Sequence, residues 1–500
     1  MSFPLIFVWY HGEVTIDLWE YALALVYILV LYFIFARRKA LMLRSAPEYK
    51  FYLWGFLAKL GGGLGFSLIY FYYYGGGDTT SYFYSSVAMR NLAMIDPLEY
   101  LSQLFGDNSI EAWGRYSLDT AYPFKYVFLD DRTYMVVRVS SVLAILTFKS
   151  YLISTLLIAS ISFFGIWACY RTVVSYFPQI NRDLAIAFLF MPNPAFWGSA
   201  ILKDTFSFSA VCFWVHAVDE VFFKRRHVMW NWMVIVMSGS MMITVKPYIF
   251  MVLFPATLFW VFYIRVVRLR NVMVKFVIVP FLLVGFVLGS LFVLTRMGDQ
   301  FDKFALDGAL ETIEVTQGDL IREDSYGSNS FDVGKFDGTW MGVLSKFPVA
   351  VNAALFRPYL WEARNFTMFL SGLENLWVLG LTIVVLYKAG PRFMLRSVMN
   401  VPILIMASIF ALLFAFAVGV STPNFGAMVR FKIPMVPFYI SSLYIILFLS
   451  KLKKNMEANG QRFNFRDLRL GTAHLNVDQH GKPWRSEPRK PVKAPEQRSK

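Results

Sequence analysis

The carboxylate best placed to do chemistry is Asp78, in the run Tyr72-Tyr73-Tyr74-Gly75-Gly76-Gly77-Asp78-Thr79-Thr80. Three glycines end an apolar stretch there. Glycine permits turns that other residues resist, so the chain can hold Asp78 over the mouth of a helical bundle. A carboxylate at such a boundary is partly desolvated, which raises its basicity toward what deprotonating a hydroxyl requires. The same residues also read as a helix-ending glycine followed by an exposed loop aspartate. Glu99, Asp107, Asp119, Asp130 and Asp131 follow in the same stretch and are rivals for the role.

A second set is cationic. Lys203 precedes Asp204 in Phe196-Trp197-Gly198-Ser199-Ala200-Ile201-Leu202-Lys203-Asp204, and Lys246 opens Lys246-Pro247-Tyr248. Arg357 begins Arg357-Pro358-Tyr359-Leu360-Trp361-Glu362, and Arg430 and Lys432 stand in Asn424-Phe425-Gly426-Ala427-Met428-Val429-Arg430-Phe431-Lys432-Ile433-Pro434. Lysines and arginines in such positions point to an anion, and arginine can grip phosphate with two parallel hydrogen bonds. Lys203 reads equally as a snorkelling lysine paired to its neighbour. Asp204, Glu362 and Asn424 are further candidates within these motifs. The five histidines are scattered and both cysteines, Cys169 and Cys212, lie in apolar runs. No metal-ligand set is visible, although a divalent metal is compatible with this chemistry.

The elements that must position these residues are membrane spans. The chain is 57% hydrophobic and 16% charged, with a mean hydropathy of +0.50. Apolar runs of about twenty residues can cross a hydrocarbon core, and lipid forces each into a helix. About eleven spans are expected, near 17–36, 51–73, 148–170, 183–199, 205–222, 229–245, 248–264, 275–295, 367–387, 399–420 and 433–450. The pieces near 183–222 are short and carry Pro192 and Pro194, so a re-entrant or broken helix is an alternative there. Basic clusters recur at every second loop: Arg37-Arg38-Lys39, Arg171 with Arg182, Lys224-Arg225-Arg226, Arg265 to Lys275, Lys388 to Arg396, and Lys451 to Lys454. By the positive-inside rule these loops are cytoplasmic, the N-terminus lies outside and the C-terminus inside.

That orientation divides the charges. The net charge of +15 sits mostly in cytoplasmic loops and the tail, which argues for anionic lipid and against nucleic acid. Lys203, Lys246, Arg357, Arg430 and Lys432 fall instead on the outer side, beside Asp78. The fold class expected is therefore an all-α polytopic bundle with two large non-cytoplasmic loops, at about 75–148 and 296–366, containing membrane-lying helices. Residues 1–50 form a leading span and first cytoplasmic loop, 51–450 the transmembrane domain, and 451–500 a basic, disordered cytoplasmic tail.

In these motifs the chain resembles the GT-C superfamily of polytopic glycosyltransferases. The resemblance lies in Gly77-Asp78 opening a long outer loop and in Arg430-Phe431-Lys432-Ile433-Pro434-Met435-Val436-Pro437 entering the last span. Bacterial O-antigen and exopolysaccharide polymerases look similar in the same respects. The resemblance implies a polyprenyl-phosphate-linked sugar donor, a saccharide or lipid acceptor, and a place in the bacterial inner (plasma) membrane with envelope-assembly partners. Asp78 would then be the base, and the five cations would meet the departing phosphate. A transporter or flippase of lipid-linked saccharide, or a non-enzymatic subunit of an export complex, remain the alternative readings.

Overall fold

The computed structural model describes residues 14–267 and 340–465, with a few isolated helical positions between 277 and 289. Among the described residues, eight helices are long and apolar enough to cross a membrane: Leu18–Met42, Pro47–Tyr72, Tyr151–Tyr176, Lys203–Lys224, Val228–Val245, Thr367–Ala389, Pro402–Ser421 and Val436–Ala458. Their starts carry the expected signals. Ser150 accepts from the amide of Ile153 at 3.2 Å, Asn365 accepts from Met368 at 2.8 Å, and Pro402 occupies the first turn where its missing N–H costs nothing. The first helix leaves Leu25 and Phe33 58% and 67% exposed. An apolar stripe of that length finds its partner in lipid.

The expected eleven spans are thus eight described candidates plus three special cases. The expected span at 183–199 is not a continuous helix. It runs as Asn181–Ala185, a π-helical turn over Ile186–Phe190, and a separate helix Pro192–Trp197. Pro192 lacks the N–H that would continue the ladder, and irregular backbone of this kind is tolerated only where protein covers it. The expected span at 248–264 is a continuous helix, Pro247–Val267, that carries Pro255 within it. The expected span at 275–295 lies outside the described residues.

The long stretch after Asp78 is built of helices, chiefly Asp78–Ile95, Pro97–Phe105 and Asp131–Leu146. Of the second long loop only the part from residue 340 is described. There Phe347–Phe356 is apolar and packs against Pro402–Ser421 so closely that a Cβ at Gly419 would overlap the carbonyl of Ala350. This piece belongs to the bundle, not to a polar roof. The last span also continues to Ala458, past the expected start of the tail, whose remainder beyond 465 is outside the described residues.

Hydrogen bonds identify the two ends of the bundle. Glu20 at the start of the first span accepts from Ser150 and Tyr151 at the start of the third. Thr79, just past the end of the second, bonds Tyr151 at 2.9 Å. At the opposite end Arg171 pairs with Glu48 at 3.2 Å and Lys224 with Asp219 at 2.5 Å. The first three spans therefore alternate in direction. The fourth runs parallel to the third, since Tyr176 at the end of one donates to Asp219 near the end of the other. Asp78 lies at the end away from Arg171 and Lys224.

Candidate functional site

Each residue of the site is held by a local break in helix. Gly75, Gly76 and Gly77 have φ of 69, 121 and 143°, a region that L side chains resist. At Gly77 a Cβ would also come 3.1 Å from the ring of Tyr70. The chain restarts at once, so Asp78 is the first residue of the helix Asp78–Ile95 and not part of an irregular loop. A carboxylate in a first helical turn is favoured by the helix dipole. Asp204 is the second residue of the helix Lys203–Val218. Lys246 occupies the joint where Pro247 ends one helix and begins the next. Arg430 lies on the short helix Phe425–Phe431, which Asn424 caps by accepting from the amide of Ala427 at 3.2 Å.

These four side chains meet. Asp204 is 0% exposed. One of its oxygens accepts from Lys246 Nζ and the other from Arg430 Nε at 2.5 Å. Arg430 Nη1 then reaches outward to Asp78 Oδ2 at 2.7 Å. Asp78 is 46% exposed at its side chain, whereas Asp204 is fully enclosed. Beside this line of charges Lys203 Nζ donates to Asp130 Oδ2 at 3.0 Å. Asp78, Asp130 and Asp204 thus face Lys203, Lys246 and Arg430, three charges of each sign.

Their environment tunes them in opposite directions. Burial lowers the Lys246 pKa, and Asp204 only partly restores it. Burial would lower Arg430 as well, but Asp204 and Asp78 outweigh it and hold the guanidinium firmly charged. Burial would raise Asp130, yet Lys203 and the Thr133 hydroxyl hold its carboxyl below the ordinary aspartate value. The ring of Phe431 lies 4.4 Å from Lys246 Nζ and supplies a cation–π contact.

Arg357 and Lys432 belong to a separate cluster. Arg357 Nε donates to both oxygens of Glu362 at 3.0 and 3.1 Å, and its guanidinium lies 5.0 Å from the centre of the Phe425 ring. Lys432 Nζ donates to Asn375 at 2.7 Å and to the carbonyl of Arg357 at 3.4 Å. Burial lowers the Lys432 pKa to about 8, with Glu374 pulling the other way. A cavity beside it, bounded by Leu355, Asn375, Met435 and Tyr439, has about 10 Å³ open to a water, room for roughly one molecule. Arg430 and Lys432, two residues apart, therefore serve different clusters.

Of the carboxylates considered as rivals of Asp78, Asp130 joins the network and Glu99 pairs with Arg115 at 3.2 Å. Asp107, Asp119 and Asp131 are exposed. Among the described residues, four charged side chains not singled out by sequence turn out to be buried. Glu20 accepts from Ser150 and Asp219 pairs with Lys224. Lys59 donates to the carbonyl of Gly198, and Glu374 accepts from the amide of Asn193 at 2.7 Å. The signal was there, because a lone charge within an apolar span is costly and seldom idle. Among the described residues no cluster of three or more His, Cys, Asp and Glu is placed to hold a metal. A comparison with protein-family models, curated proteins and solved structures finds no match.

Proposed function

We propose that the protein transfers a glycosyl group from a polyprenyl-phosphate-linked sugar at the outer face of the membrane, for synthesis of a surface polysaccharide or glycolipid. The observation that carries this reading is the division of Arg430 between the buried Asp204 and the exposed Asp78. The inner bond fixes the guanidinium, and the outer one is accessible to exchange. A lipid phosphate arriving at this end competes for the outer N–H of Arg430 and frees Asp78. Asp78 then takes the proton of an acceptor hydroxyl as its oxygen bonds the anomeric carbon. The bond from that carbon to phosphate breaks, and the electron pair leaves with the phosphate. The charge that grows there meets Arg430, with Lys203 and Lys246 nearby, in a preformed field.

Asp78→Asn keeps the size of the side chain and removes the base. It should lower transfer ~10²–10⁴-fold with membrane expression unchanged, assayed with a polyprenyl-phosphate sugar. Undiminished transfer would sink the role of Asp78. A second reading, a transporter of lipid-linked saccharide, draws support from the broken helix at 181–202, since transporters place discontinuous helices at their binding sites. Translocation of a labelled lipid-linked saccharide in proteoliposomes, with no glycosyl product, would favour it.

A further inference from the structure

We infer that Lys59 and Glu374 are positioning residues, a two-ended charge clamp on the short helix Pro192–Trp197 that sets Asp204 and Arg430 against Asp78. The inference rests on the reading of Asp78 and Arg430 as the working pair. The clamp has the polarity that a helix demands. At the amino end Glu374 accepts from the amide of Asn193 at 2.7 Å, and Ser371 donates to the Asn193 side chain at 3.2 Å. At the carboxyl end Lys59 donates to the carbonyl of Gly198. An anion at the start and a cation at the finish both oppose the helix dipole. The two residues come from different spans, and they are 4% and 7% exposed, where a charge without a partner is expensive.

The clamped helix leads directly to the site. From Gly198 the chain bends without helix until Lys203, and Asp204 stands six residues on. Few bonds fix this stretch from within, among them Thr205 Oγ1 to the carbonyl of Ala200 at 2.6 Å. Position must therefore be supplied from outside. Lys59 Nζ also lies 5.7 Å from the centre of the Phe208 ring, on the helix that carries Asp204. A Cβ at Gly198 would meet Phe208 at 3.1 Å and Ile433 at 3.4 Å, so the same spot abuts the segment that carries Arg430. On the facing span Gly62 has no room for a Cβ against the carbonyl of Ala195, and Gly63 would meet the Ser199 carbonyl at 2.9 Å. Glycine lets the broken segment seat backbone to backbone, and the two charges hold it there.

The test is made on the full chain in nanodiscs and needs no activity. Asp78→Cys serves as reporter, because both native cysteines are buried. Its reaction rates with an anionic and a cationic methanethiosulfonate are compared. Arg430 beside position 78 should favour the anionic reagent about five-fold or more. Adding Lys59→Met should bring the ratio toward one, and Lys59→Arg should keep it. Glu374→Gln, which retains volume and an acceptor but no charge, should lower the ratio about two-fold. A folded Lys59→Met protein with the full ratio overturns the clamp. Where Lys59→Met does not fold, Glu374→Gln decides, and an unchanged ratio there overturns it equally. Asp78→Cys with no anionic preference sinks the pairing of Asp78 with Arg430, and hence the functional reading itself. A preference present but indifferent to Lys59 and Glu374 sinks only the clamp.

Discussion

Arg430 joins two carboxylates of unequal burial, and its substitution pattern should show it. Asp204→Asn leaves Lys246 and Arg430 facing a neutral group. Removing one member of a buried pair costs about 3–5 kcal/mol, so the unfolding midpoint in detergent titration should fall sharply. Asp204→Asn with Lys246→Met should be less destabilised than the sum of the single changes, the coupling that a double-mutant cycle reads. Lys432 makes a prediction about pH. Its folded pKa, about 8, lies below the ordinary lysine value of 10.5. Between those values the folded protein has released a proton that the unfolded chain still holds, so this group adds stability as pH rises. The wild-type midpoint should therefore gain on that of Lys432→Gln from pH 8 to 10, and a constant gap would refute it. Sequence motifs and the positive-inside rule place Asp78, Asp204, Lys246 and Arg430 on one face of the membrane. Their pairing was not legible, because Asp204 and Arg430 are 226 residues apart and nothing local records which charges meet.

Close helix contacts decide the elements. Gly61 and Gly62 are neighbours in the same span, yet a Cβ at Gly61 meets nothing within 4 Å while one at Gly62 strikes the Ala195 backbone. Gly61→Ala should be neutral or stabilising by up to about 1 kcal/mol from helix propensity. Gly62→Ala, and Gly419→Ala against Ala350, should each cost about 1–3 kcal/mol of overpacking, read from thermal or detergent unfolding. Equal stability of Gly61→Ala and Gly62→Ala would contradict this geometry. The apolar runs made most spans legible, because a lipid-facing helix advertises its length and hydropathy. The broken segment was legible only as an alternative suggested by two prolines. Phe347–Phe356 was hidden, since ten apolar residues are too few to read as a span and were absorbed into a loop.

At the scale of the bundle, the described residues hold two populations of charge at opposite ends. Arg171 and Lys224 bind carboxylates at one end, and Arg430 and Lys246 bind Asp78 and Asp204 at the other. Which end meets the cytoplasm is a prediction from the positive-inside rule. Single cysteines at the exposed positions Asp107 and Arg226 should label differently in intact cells. An impermeant maleimide should reach Asp107→Cys from outside and Arg226→Cys only after permeabilisation. The reverse pattern would invert the topology and place the Asp78 end in the cytoplasm, where the donor reading fails.

The separation of Asp204 from Arg430 also sets an order of assembly. Ribosomes add ~5–20 residues per second, so the 226 residues between the two take ~10–45 s to make. Lys246 follows Asp204 by only 42 residues and emerges within ~2–8 s. From Lys246 until Arg430 the nascent chain therefore holds a half-neutralised aspartate at the membrane edge, and the helix Phe425–Phe431 arrives to close it. The cationic residue that completes the network thus emerges just ahead of the last span, Val436–Ala458, so the network and the bundle close together.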